Sequence, residues 1–207
     1  GTLCRSGFQI TREIRLAQSV HEIGEEVWGR LATSRPFTSY RWYRFGETVL
    51  TDNVPLYILL LDGGVPLACG TFWLRSNEPL PISSPWIRKI AGAILRRWPL
   101  LICQAPLADA SGLLLPDPPR RDEAVATLAR VAREEAARLH ASFVAHVYLG
   151  PREAYLPAWP RPFVAADVPE PGTCLEIIWP DFERYVAQLS RSARKDYRRH
   201  RNRAADL

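Results

Sequence analysis

The chain has 207 residues, 47% of them hydrophobic, and a net charge of +5. This is enough apolar content for a core in one domain of ordinary size, or in one domain plus part of another. No apolar run approaches the roughly 18 residues of a membrane span, and no apolar stretch of the signal-peptide kind follows the first charges.

Phe8 to Ile14 alternates apolar and polar residues, which predicts a strand. Ser19 is a plausible N-cap, and Val20, Ile23, Val27 and Leu31 fall on one face of a following helix. The stretch after Pro36 offers Ser39 as the cap of a second, aromatic-rich helix. Leu56 to Leu61 reads as a buried strand. Asp62-Gly63-Gly64 is a hairpin turn, and Val65 to Leu74 returns as the partner strand. Ser83-Ser84-Pro85 starts a helix through Trp98, with Pro85 suited to its first turn. Leu100 to Cys103 is a short strand, followed by a loop rich in Pro and Gly. Asp122 to His140 is the clearest helix, with Ala124, Leu128, Val131, Ala132, Ala136 and Leu139 as its inner stripe. Phe143 to Leu149, Phe163 to Val168 and Cys174 to Trp179 read as strands, and Pro180 and Asp181 open a final helix. The order predicts an α+β fold around a mixed central sheet flanked by helices.

Charge is concentrated near the end. Residues 190–204 hold seven of the 27 Lys and Arg and one of the 22 acids, which leaves the rest of the chain at −1. A neutral body with one basic segment argues against a protein that coats DNA and for a local anion site or a tail. Within the segment, Arg191, Arg194, Lys195 and Arg198 recur at i, i+3, i+4 and i+7, so a helix puts them on one face. Like charges at this spacing repel, and water, acids from elsewhere or a bound anion must offset that. Guanidinium forks suit phosphate and carboxylate. A solvated helix face is the plainer alternative.

Other residues that could carry chemistry point to structure. Cys4, Cys69, Cys103 and Cys174 form no Cys-x-x-Cys and lie near no His pair, so no metal site is expected. They read as small apolar residues in a reducing cytoplasm. His21, His140 and His146 read as satisfied structural residues, and the seven Trp as core or rim. The helix through residues 84–98 is amphipathic and basic, with Arg88, Lys89, Arg96 and Arg97 beside Trp86, Ile90, Ile94, Leu95 and Trp98. Packing on the sheet and peripheral contact with an anionic membrane surface are both open to it. The chain has no Met, begins at Gly1 and stops inside a helical pattern, which reads as a fragment.

The stretch Asp181 to Ala204 resembles the start of the second acyltransferase-like domain in the FemAB-like branch of the GNAT superfamily, which includes peptidoglycan aminoacyltransferases and BioF2-like acetyltransferase domain proteins. Tyr185, Leu189, Ser190, Arg194 and Arg198 carry that likeness. Pro36, Phe37, Ser39 and Trp42 resemble the family's early Pro-Phe-x-Ser-x-x-Trp segment. Pro106, Gly112 and Leu113 resemble its Pro-x-x-x-x-Gly-Gly-Leu segment, with Ser111 in place of the first Gly.

The resemblance implies a first GNAT-like domain over residues 1–170 and the first strand and helix of a second over 171–207. It implies acyl or aminoacyl transfer to an anionic, phosphate-bearing envelope precursor or other small acceptor. Arg194, Lys195, Arg198 and Arg191 would hold the acceptor in a cleft between the domains, with Ser39 and Trp42 also at the substrate. The donor, acyl-coenzyme A or a tRNA-linked aminoacyl group, would sit mostly in the second domain, with no cofactor in this chain. A cytoplasmic location follows, peripheral at the inner face of the membrane if the helix at 84–98 touches lipid.

One departure is physical. LPDPPRRD precedes the helix at 122, where a self-sufficient GNAT enzyme has a Gly-rich pyrophosphate loop. Three prolines remove three N–H donors, so this domain is not expected to bind coenzyme A in that way. The rival readings are a nucleic-acid binder using the Arg-rich helix and an inactive GNAT-like scaffold.

Overall fold

The chain divides into two units, Gly1–Ala165 and Ala166–Leu207. The computed structural model describes residues 12–32, 37–76, 84–150, 159–165 and 178–205. The first unit is a six-stranded mixed sheet flanked by helices.

β1 (Arg12–Ala17) pairs antiparallel with β2 (Val54–Asp62), and β2 with β3 (Val65–Arg75). The two-residue loop Gly63-Gly64 has φ of +57° and +83°, which glycine adopts without steric cost. Both positive angles match the right-handed twist of the hairpin. Leu56 to Leu60 are all buried because helices cover both faces of the strand.

On one face lies an aromatic core. The single helix expected over 20–31 is two, α1 (Val20–Ile23) and α2 (Glu25–Leu31). They break at Gly24, whose φ of +88° no helix accommodates. The break turns the inner face so that Trp28, rather than Val27, is fully buried. α3 (Tyr40–Val49) begins at Ser39, whose hydroxyl accepts the Trp42 N–H at 3.2 Å. The rings of Trp28, Tyr43 and Tyr57 meet at centroid distances of 4.6 to 6.2 Å. Their edges and faces give this core directional packing as well as apolar area.

Glu47 of α3 ties this layer together. Its carboxylate accepts from Ser19 Oγ at 2.9 Å, the Val20 N–H at 2.7 Å and Tyr57 Oη at 2.6 Å. One side chain therefore caps α1 and anchors β2. Burial, and then the hydrogen bond to Glu47, push the Tyr57 phenol far above its ordinary pKa, so it stays a donor.

The other face packs under the long helix. α4 (Pro85–Arg97) fills the connection from β3 to β4 (Leu100–Cys103), and Pro85 occupies its first turn as expected. α5 (Arg121–Arg138) buries Ala124, Leu128, Val131, Ala132 and Ala136 against Ile58, Leu60, Phe72 and Leu101. Leu139 joins that core from just past the helix end. α5 crosses from β4 to β6 (Phe143–His146), which pair in parallel from Leu100↔Phe143 to Cys103↔His146. A parallel pair needs such a crossover.

β3 changes partner along its length. Phe72–Arg75 pair with β4, while Cys69–Gly70 pair with the two-residue β5 (Leu113–Leu114), a stretch expected as loop. Residues 104–112 leave the sheet between them. Thr71 sits at the switch. Its N–H donates to Gly112 O at 2.9 Å, and its own carbonyl accepts the Gln104 N–H at 3.3 Å. Its hydroxyl lies 3.0 Å from Gly112 O and 3.1 Å from Tyr43 Oη.

Four expected strands end differently. β1 occupies Arg12–Ala17, and residues 8–11 of the strand expected over 8–14 lie outside the described residues. The strand expected over 143–149 stops at His146. Residues 163–165 and 178–179 are not strand, and 166–168 and 174–177 of those expected strands lie outside the described residues. Cys4 and Cys174 lie outside them too, while Cys69 and Cys103 are buried as small apolar residues would be.

A Cβ at Gly112 would stand 2.5 Å from Thr71 O and 2.7 Å from Gln104 N, both backbone atoms. Gly112→Ala should therefore destabilise the protein by about 1–3 kcal/mol. Urea unfolding measures this, and an unchanged midpoint would show that the 104–112 excursion is not held at Thr71.

Candidate functional site

The second unit carries the basic face. Asp181 caps α6 (Phe182–Gln188) by accepting the Arg184 N–H at 2.7 Å. The one helix expected here is two: Leu189 is extended, with ψ of 154°, and α7 (Arg191–Ala205) starts afresh. Ser190 starts it, its hydroxyl accepting the Ala193 N–H at 3.2 Å. The rings of Phe182 and Tyr197 meet at 5.6 Å, so α7 folds back on α6.

Because α7 is helical throughout 191–205, the spacing of Arg191, Arg194, Lys195 and Arg198 does place them on one face. They are not equivalent. The Arg194 guanidinium donates to Ala187 O at 2.7 Å, closing one of the open carbonyls at the end of α6. Arg191, Lys195 and Arg198 are exposed and have no acidic partner among the described residues. Asp196 is turned to Arg199 instead, at 3.3 Å. The first turn of α7 holds no acid, so its positive end faces cations, which the helix dipole disfavours.

Ser39 and Trp42 lie in the first unit. Ser39 is engaged as the cap of α3. Trp42 Nε1 donates to Pro106 O at 2.7 Å, in the 104–112 excursion. The two family-like segments of the first unit, around Ser39 and around Pro106, thus meet at one joint. Gly46, one turn on, has Pro106 directly over it, where any Cβ would clash with the Pro106 ring. Around the joint Phe37 and Phe45 flank the Trp42 ring at 5.0 and 5.8 Å and are exposed. Phe37 and Leu107 have φ of +63° and +52°, a left-handed backbone that bulky residues seldom adopt. The sequence marks out Trp42 but not Leu107, whose left-handed backbone has no signal in residue type.

The turn before α5 does not fit a coenzyme A pyrophosphate. Pro116, Pro118 and Pro119 offer no N–H. Arg120 is ion-paired to Asp62, and Arg121 Nε donates to Pro116 O at 3.2 Å. Among the described residues no three His, Cys, Asp or Glu side chains come together as a metal site would require.

His146 differs from expectation. At the end of β6 its ring is boxed by Phe72, Trp159 and Phe163 at 4.6 to 5.5 Å. Both ring nitrogens are buried without a hydrogen-bond partner, so it is structural but not satisfied. Burial lowers its pKa from 6.5 to about 3. A group held this neutral is a weak base and not a proton carrier near neutrality. The unfolded chain takes up its proton near pH 6.5, and the folded one only near pH 3. This residue should therefore remove up to about 1.4 kcal/mol of stability per pH unit as pH falls through that window, and nothing above it. Denaturant melts of the protein and of His146→Leu between pH 7 and pH 4 test this; equal slopes would refute the burial.

Comparison with protein-family models, with curated proteins and with solved structures finds no match to this chain.

Proposed function

We propose that the chain belongs to an acyl- or aminoacyltransferase of the FemAB-like GNAT type, and that α7 binds the phosphate of its anionic acceptor on the cytoplasmic side of the envelope. The observation that carries the reading is the triplet Arg191, Lys195 and Arg198, exposed on one helical face with no acid among the described residues to answer it. Three such cations along one face, with Arg191 in the positive first turn, favour a polyanion over a single carboxylate. The element order of the first unit and the three family-like segments add to it.

On this reading an amine or hydroxyl of the acceptor attacks an activated acyl carbonyl. The new amide or ester bond forms as the donor's thiol or hydroxyl leaves with the proton lost by the nucleophile. The part given to α7 is orientation: it holds the acceptor so that the nucleophile meets the carbonyl in a reactive pose. The donor pocket belongs to the second domain, which residues 171–207 open. No base is assigned, and His146 is not a candidate for the reason given above.

The joint test is binding and transfer. A nucleotide-linked amino sugar, with inorganic pyrophosphate as the minimal probe, should bind the protein. Arg191→Gln/Lys195→Gln/Arg198→Gln should weaken both at least roughly tenfold, since each charge-assisted bond contributes about 1.5–3 kcal/mol. The melting temperature should not fall, because all three residues are exposed and their substitution relieves like-charge repulsion. If the triple variant binds as the parent does, the face is merely solvated. If neither probe binds while nucleic acid does, with log K falling by about 0.9 per phosphate contact per decade of salt, α7 is a nucleic-acid arm and the transferase reading fails.

A further inference from the structure

α4 faces the wrong way for a helix packed on its own sheet. Trp86 and Trp98, at its two ends, are 70% and 50% exposed, and Ile87, Ile90 and Ile94 between them are 42% to 49% exposed. At 3.6 residues per turn Trp86, Ile87, Ile90 and Ile94 share one face. Leu95, on the opposite face, is buried. Surface helices of globular proteins turn their apolar stripe to the core; here the Trp and Ile stripe points outward.

Past the helix, the Ser142 N–H donates to Pro99 O at 2.8 Å and Ser142 Oγ to Trp98 O at 3.1 Å, which ties the end of α4 to the residue before β6. The border of the apolar stripe is basic. Residues 84–103 contain no Asp or Glu. Lys89 and Arg96 flank the stripe on one side, and Arg97 lies 5.8 Å over the Trp98 ring. None of the three has an acidic partner among the described residues.

An apolar face with a tryptophan at each end and a cationic edge fits a surface that is oily beneath and anionic on top. The helix has 13 residues, about 20 Å, too short to cross a bilayer. Nor is any helix among the described residues long and apolar enough to do so. A second copy is the poorer occupant. A two-fold contact sets the same patch against itself, and the cationic edges would meet with no acid to neutralise them.

We propose that α4 is an interfacial anchor for anionic lipid: it lies in the plane of the bilayer, buries Trp86, Ile87, Ile90, Ile94 and Trp98 among the acyl chains, and sets Lys89, Arg96 and Arg97 among the headgroups. This does not depend on the transferase reading, and either can fail alone.

The test is sedimentation with vesicles of phosphatidylcholine, with and without about one-third phosphatidylglycerol. The protein should bind the anionic vesicles roughly tenfold or more tightly than the neutral ones, and less so at high salt. Ile90→Asp/Ile94→Asp should abolish binding. Lys89→Gln/Arg96→Gln/Arg97→Gln should erase the preference for phosphatidylglycerol. If the aspartate pair lowers the melting temperature, Trp86→Ser/Ile87→Ser replaces it. Absence of binding to anionic vesicles, or binding that neither apolar pair reduces, overturns the proposal. So does a dimer that the aspartate pair dissociates in a protein that binds no vesicle, which would give the face to a second copy.

Discussion

The change of partner at Thr71 is the constraint on which the first unit rests. A strand edge normally pairs with one neighbour along its length. Here β3 hydrogen-bonds β4 at one end and β5 at the other, and the nine residues between them depart from the sheet. Leaving the edge at Thr71 open would bury unsatisfied backbone groups. The ends of the excursion return to satisfy them, Gln104 N–H to Thr71 O and Thr71 N–H to Gly112 O. The Thr71 hydroxyl then reaches Tyr43 of α3. One residue thus joins the sheet, the excursion and the aromatic layer. Trp42 and Gly46 of α3 close the joint from the other side, on Pro106.

This explains why family-like residues of the first unit fall where they do, without assigning them chemistry. Pro106 and Gly112 are the two places where the excursion touches something unyielding: a tryptophan and a glycine helix face at one end, a strand backbone at the other. Trp42 is the anchor of that loop. Among the described residues, exposed cations without an acidic partner include Arg41 and Arg44 of α3 as well as those of α4 and α7. By contrast Arg120, Arg121 and Arg194 are already spent on Asp62, Pro116 and Ala187. Sorting arginines by whether their forks are occupied separates architecture from binding capacity better than counting charge does.

Local signals were legible and distant ones were not. The Gly63-Gly64 turn, the Pro85 start, the inner stripe of α5 and the four residues of β4 all follow from neighbours in the chain. Gly24 and Leu189 break helices whose periodicity runs on unbroken through them. A glycine inside a helical pattern, or a leucine before a serine, reads equally well as helix interior. β5 is two residues long and has no periodicity to detect. The basic face of α7 was legible because helical spacing alone defines it. The cap role of Ser39 was legible too, since its partner is three residues on; the roles of Trp42 and Glu47 were not, because their partners lie 10 to 64 positions away. For α4 the sequence shows that one side is apolar, but only the fold shows that this side points out.

The partner switch also has a consequence in time. The β2–β3 hairpin closes through a two-residue turn, whereas Thr71 meets Gln104 and Gly112 across 33 and 41 residues and Trp42 meets Pro106 across 64. Each doubling of a loop adds about 0.6 kcal/mol of closure entropy, and such non-local pairings slow folding. The hairpin is therefore the cheap first step and the excursion a late one. Until it arrives, the open edge of β3 at Cys69 to Thr71 is the chain's exposed template for mispairing. The joint that organises the finished molecule is also among the parts of it with a long route to completion.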